Sequence, residues 1–153
     1  MEDTFWIELV QQADYRFETH FDNPAVPALV TDEPAPLGRD QGPNPSRLLG
    51  TAVANCLSAS LLFSMRKFKN TPDPIRAVAT VRMVRNEQKR LRVGGMAVDL
   101  HLGVPASAIA MLERILAQFE DFCVVTQSVR QAFPVEVRVF DSEGVLLKQP
   151  EPA

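Results

Sequence analysis

Cysteine and histidine are scarce in this chain. Its 153 residues hold two of each: Cys56 and Cys123, His20 and His101. Two thiols are too few for a disulfide framework or for a zinc site built from cysteines alone. A mixed site would use every cysteine and histidine present, and no two of them lie at a short chelating spacing. The same poverty of histidine leaves no positioned base for a serine or cysteine hydrolase triad. Aromatic residues make up 7% of the chain, and neither charge sign dominates, with 16 Lys and Arg against 19 Asp and Glu for a net charge of -3. A dedicated nucleic-acid binder is therefore not expected. Gly38, Gly42, Gly94 and Gly95 fit neither a dinucleotide fingerprint nor a phosphate loop. Residues 1–3 open acidic, without the basic and then apolar regions of a secretory signal, so the expectation is a cytoplasmic protein.

What is present is a globular composition, 46% hydrophobic and 23% charged, and a length that predicts one domain over residues 1–153. The longest apolar stretch, residues 48–65, lies between Arg47 and Arg66. A membrane span needs about 20 predominantly apolar residues. Here Gly50, Thr51, Asn55, Ser58, Ser60 and Ser64 interrupt the run on every side. It reads as the buried centre of a fold, and no membrane span is expected.

Around that centre the pattern predicts strands over 5–12 and 15–21, with a third short one at 28–31. Asp22, Asn23 and Pro24 end the second, and residues 32–45, rich in Pro, Gly and acids, form an ordered loop. Asn44 caps a helix that Pro45 opens and that runs to about 68. Alternating residues predict a hairpin over 75–85 and 90–102. Pro105 opens a second helix, reaching about 121, in which Ile109, Leu112, Ile115, Leu116 and Phe119 make one apolar stripe. A short helical piece at 126–132 and a hairpin of 135–140 with 145–148 complete an α+β fold, with antiparallel sheets wrapping a buried central helix. One chain of this length has too little material to cover an apolar helix all round, which predicts a homodimer with a shared core.

The two thiols are the leading candidates for chemistry. Free cysteine is commonly a small core residue, and reactivity requires surroundings that lower the thiol pKa. Of the 12 arginines, Arg76, Arg82, Arg85, Arg90 and Arg92 with Lys89 make the long hairpin basic. Solvated charge that guards a hairpin against edge pairing is the simpler account; a surface for an anionic partner is the other.

Several segments together resemble the OsmC/Ohr family, the osmotically inducible and organic hydroperoxide resistance proteins. The first runs through Pro36, Leu37 and Gly38, then Gly42, Pro43, Asn44 and Pro45, then Leu48 and Leu49, then Ala54, Asn55, Cys56 and Leu57. The second is Cys123 at the end of a helix, followed by Val124, Val125, Thr126, Gln127 and Ser128 and leading into Val135, Glu136 and Val137. The order of elements agrees over nearly the whole chain. The resemblance implies an OsmC-like intertwined homodimer with a site at each subunit interface. It also implies a thiol-dependent peroxidase that reduces organic hydroperoxides or hydrogen peroxide. Cys56 would be peroxidatic and Cys123 resolving, no bound cofactor would be needed, and an external dithiol or lipoyl-type molecule would be the reductant. Peroxidase members carry a glutamate just after the asparagine–proline pair, with an arginine that holds the thiolate. Here Ser46 and Arg47 stand at those places. The arginine is then Arg16 on the second strand or Arg39 in the loop, with Arg47 a further source of the cation. The alternative is a dimer of the same fold without turnover, which binds a hydrophobic small molecule or senses redox state.

Overall fold

The computed structural model describes residues 3–152. They form two compact units, divided between Leu48 and Leu49. In the first unit, β1 (Ile7–Ala13), β2 (Arg16–Phe21) and β3 (Leu29–Thr31) make an antiparallel sheet in that order. All seven residues of the edge strand β1 are exposed, among them Ile7, Leu9 and Val10. The loop after β3 is organised by Asp32. Its carboxylate accepts the backbone N–H groups of Glu33 (2.8 Å), Arg39 (3.2 Å) and Gln41 (3.1 Å). Gly38 is required there, because a Cβ at this position would lie 2.1 Å from the Glu33 carbonyl oxygen.

The helix α1 (Pro45–Lys67) starts where Asn44 Oδ1 accepts the Arg47 N–H at 3.0 Å, and it closes on Arg66 and Lys67, cations suited to the negative end of a helix. By length and composition α1 could cross a membrane. Here one of its faces is core: Gly50, Val53, Leu57, Ser60, Leu61, Ser64 and Met65 are buried at helical spacing. Of these, Val53, Leu57, Leu61 and Met65 share a core with residues from β4 (Arg76–Arg85), β5 (Leu91–His101), β6 (Val135–Phe140) and β7 (Leu146–Lys148), a second sheet in that order. In β6 the buried Val135, Val137 and Val139 alternate with the exposed Glu136 and Arg138, the period of a strand with one face in the core. Each fully buried aliphatic side chain contributes about 1.5–3 kcal/mol.

Two expectations need correction. The second sheet is mixed, because β5 and β6 pair in parallel. The chain between them passes through α2 (Leu112–Gln118) and α3 (Val124–Val129), a crossover that brings it back to the same end of the sheet. The long helix expected from Pro105 is broken: a single 3₁₀ turn at Ala106–Ala108 precedes Met111, which has a left-handed φ of 59°. The side chain of Asn70 causes the break. It donates to the Ala110 carbonyl at 2.9 Å and accepts the Ala110 N–H at 2.8 Å, so neither group is left for a helix. The apolar stripe nonetheless keeps its direction, with Ile109, Ile115 and Phe119 buried. Within one chain α1 keeps an open side, in line with the short supply of covering chain. Thr51, Asn55, Ala59 and Phe63, four apart along its other side, are exposed.

Candidate functional site

Cys56 lies midway along α1 and is partly exposed; Cys123 is fully buried, and both are free thiols. Cys123 occupies the junction between a 3₁₀ turn, Phe119–Phe122, and α3. Its backbone is fixed on both sides: its N–H donates to the Glu120 carbonyl at 3.1 Å, and its own carbonyl accepts the Gln127 N–H at 3.0 Å. The Cys123 Sγ lies 2.9 Å from Thr126 Oγ1, and the Cys56 thiol is near enough to affect its titration. Burial pushes the Cys123 thiol above its ordinary pKa; the Thr126 hydroxyl pulls it back, and Cys56 pushes it up again. The thiol is thus held on its protonated side, with Thr126 Oγ1 accepting from it.

The turn that carries Cys123 is anchored from below. Glu120, buried, has one carboxylate oxygen 2.5 Å from Arg130 Nη2 and the other 2.5 Å from Lys148 Nζ. Arg130 also donates to the Val135 carbonyl at 3.0 Å, which ties α3 to β6. On either side of Cys123, Phe122 and Val124 are exposed, at 59% and 75%.

Arg16 and Arg39 belong to the first unit. With Asp32, Gly38 and Gln41 they line a cavity of about 220 Å³. Arg16 Nη1 donates to Gln41 Oε1 at 3.1 Å, and its buried Nε has no partner among the described residues. Both histidines have partners on sheets: His20 meets Glu18 at 2.9 Å, and His101 stacks on Phe140. Along the basic hairpin the arginines spend donors on its own carbonyls, Arg82 on Gly94, Arg85 on Lys89 and Arg92 on Leu91. The Gly94 and Gly95 pair is accounted for by the bulge opposite Arg82 and Met83. Among the described residues, no group of three or more His, Cys, Asp or Glu is arranged to hold a metal ion.

The family model for OsmC-like proteins matches residues 38–138, more than half of the chain and a span that contains both thiols. The chain belongs to the OsmC family. Solved structures of this OsmC fold agree with it along most of their length. An OsmC-like protein of unknown function from Vibrio cholerae superposes with a TM-score of 0.74 at 12% identity, covering 89% of this chain and 99% of that one. An organic hydroperoxide resistance protein OsmC from Legionella pneumophila gives 0.68 at 16% identity, covering 90% and 96%. The organic hydroperoxide resistance protein OhrB of Bacillus subtilis gives 0.66 at 14% identity, covering 90% and 98%. At such identities the likeness is one of fold. No curated protein matches the sequence.

Sequence reasoning gave no role at this candidate site to Thr126, named only as part of the segment after Cys123, or to Glu120. Thr126 follows Cys123 by three positions, a spacing that turns both side chains to one side of a helical turn. Glu120 precedes it by three and has no sequence signal, because its cations, Arg130 and Lys148, are remote along the chain.

Proposed function

We propose that this OsmC-family chain is a thiol-dependent peroxidase for organic hydroperoxides or hydrogen peroxide. The single observation that carries the reading is the nearness of Cys123 and Cys56, two thiols from separate elements, close enough that Cys56 affects the titration of Cys123. The difference in exposure supports a division of labour. Cys56, the partly exposed thiol, attacks the peroxide O–O bond as a thiolate, takes the distal OH as a sulfenic acid and releases an alkoxide that picks up a proton. Cys123, buried and still carrying its proton, then condenses with the sulfenic acid. The S–S bond forms as the S–O bond breaks, and water leaves with the Cys123 proton. An external dithiol, of lipoyl or similar type, exchanges with that disulfide and restores both thiols.

A homodimer belongs to the same proposal. The exposed side of α1, with Ala59 and Phe63, and the exposed strand β1 are apolar surfaces that a second copy of the chain would cover. The cytoplasm, where thiols are kept reduced, suits such an enzyme. Ser46 favours the second reading, a redox sensor of the same fold without turnover, since no carboxylate follows the asparagine–proline pair. Consumption of an organic hydroperoxide in the presence of a dithiol separates the two: the enzyme turns over many equivalents and Cys56→Ser consumes none, whereas a sensor stops after one.

A further inference from the structure

We propose that Thr126 is the positioning residue of the resolving step, its hydroxyl holding the Cys123 sulfur where it can attack oxidised Cys56. The proposal rests on the peroxidase reading and concerns a residue that reading does not use. Thr126 has no exposed surface, and its Oγ1 stands 2.9 Å from Cys123 Sγ. In the resting thiol the S–H donates to that oxygen. When Cys123 gives up its proton, the hydroxyl has only to rotate to donate to the sulfur instead. No backbone has to move for the exchange, because the Cys123 N–H and carbonyl stay bonded to Glu120 and Gln127. A buried thiolate is costly; the Thr126 backbone N–H already favours it, and the hydroxyl adds a second donor that lowers the barrier to forming the attacking species. The titratable group that faces the Cys123 sulfur is Cys56 of α1; the Glu120 carboxylate beneath the turn is engaged by Arg130 and Lys148.

The closing reaction can be timed without peroxide. An aromatic disulfide reagent, 5,5′-dithiobis(2-nitrobenzoate), reacts first with the more accessible Cys56 and releases one coloured thiolate. Cys123 then attacks the mixed disulfide, forming the Cys56–Cys123 bond and releasing a second. Thr126→Val keeps the size and branching of the side chain without the hydroxyl; it should slow the second release about tenfold and leave the first unchanged. Thr126→Ser, which keeps the hydroxyl, should restore the second phase. A second phase in Thr126→Val within about twofold of wild type, or a Thr126→Ser variant as slow as Thr126→Val, overturns the proposal. A parallel run with an organic hydroperoxide tests the function separately. If wild-type Cys56 stays reduced there while Thr126→Val still slows the reagent-driven closure, the peroxidase reading fails and the role of Thr126 in closure stands.

Discussion

Lys148, on the last strand, reaches the carboxylate of Glu120 at 2.5 Å, with side-chain exposures of 12% and 8%. This pair, completed by Arg130, anchors the turn that presents Cys123. Removing one partner of a buried ion pair leaves its counter-charges uncompensated, at a cost of roughly 3 kcal/mol. Glu120→Ala should therefore lower the unfolding free energy by about that amount in urea titration. A loss within about 0.5 kcal/mol would mean the pair is solvated and anchors nothing.

Two aspartates predict the acid limb of stability. Burial alone would raise the Asp32 carboxyl, but the N–H groups of Gln41, Glu33 and Arg39 and the charge of Arg16 outweigh it and hold the pKa below its ordinary value of 3.8. Asp141 is lowered chiefly by the Val145 N–H, against burial and with help from Ala106 and Glu143. A folded-state pKa below the unfolded one contributes stability above the unfolded value, and that stability is lost as pH falls through the folded value. The urea midpoint should fall as pH drops below about 4, and Asp32→Asn with Asp141→Asn should flatten that fall. An unchanged slope in the double variant would contradict the assignment.

The exposed side of α1 predicts the oligomer. Phe63, 64% exposed on that side, would sit in the shared core of a dimer. Wild-type protein should sediment at twice the mass of one chain, and Phe63→Glu at the mass of one chain. A wild-type species of single-chain mass at micromolar concentration would remove the dimer from the account.

Local signals made much of this fold legible. Asn44 and Pro45 start α1 and Pro72 follows its end, so its expected limits of 45 and about 68 differ from Pro45–Lys67 by a single residue. Alternation placed β4 and β5 within a residue of their ends. What stayed hidden depends on distant partners. The break at Met111 is made by Asn70, 40 positions from its partner Ala110, and the parallel pairing of β5 with β6 follows from a crossover whose return direction no local pattern encodes. At the site, the family resemblance and not their spacing named the two cysteines as a pair, and nothing pointed to Glu120, because its role depends on Lys148 from the far end of the chain.

The most direct test of the central claim is a count of thiols after one equivalent of an organic hydroperoxide is mixed with the reduced protein. Rapid loss of both thiols, with Cys56 and Cys123 joined in a single cross-linked peptide by mass spectrometry, is the predicted result. Persistence of both thiols, or oxidation of Cys56 without a link to Cys123, would contradict it.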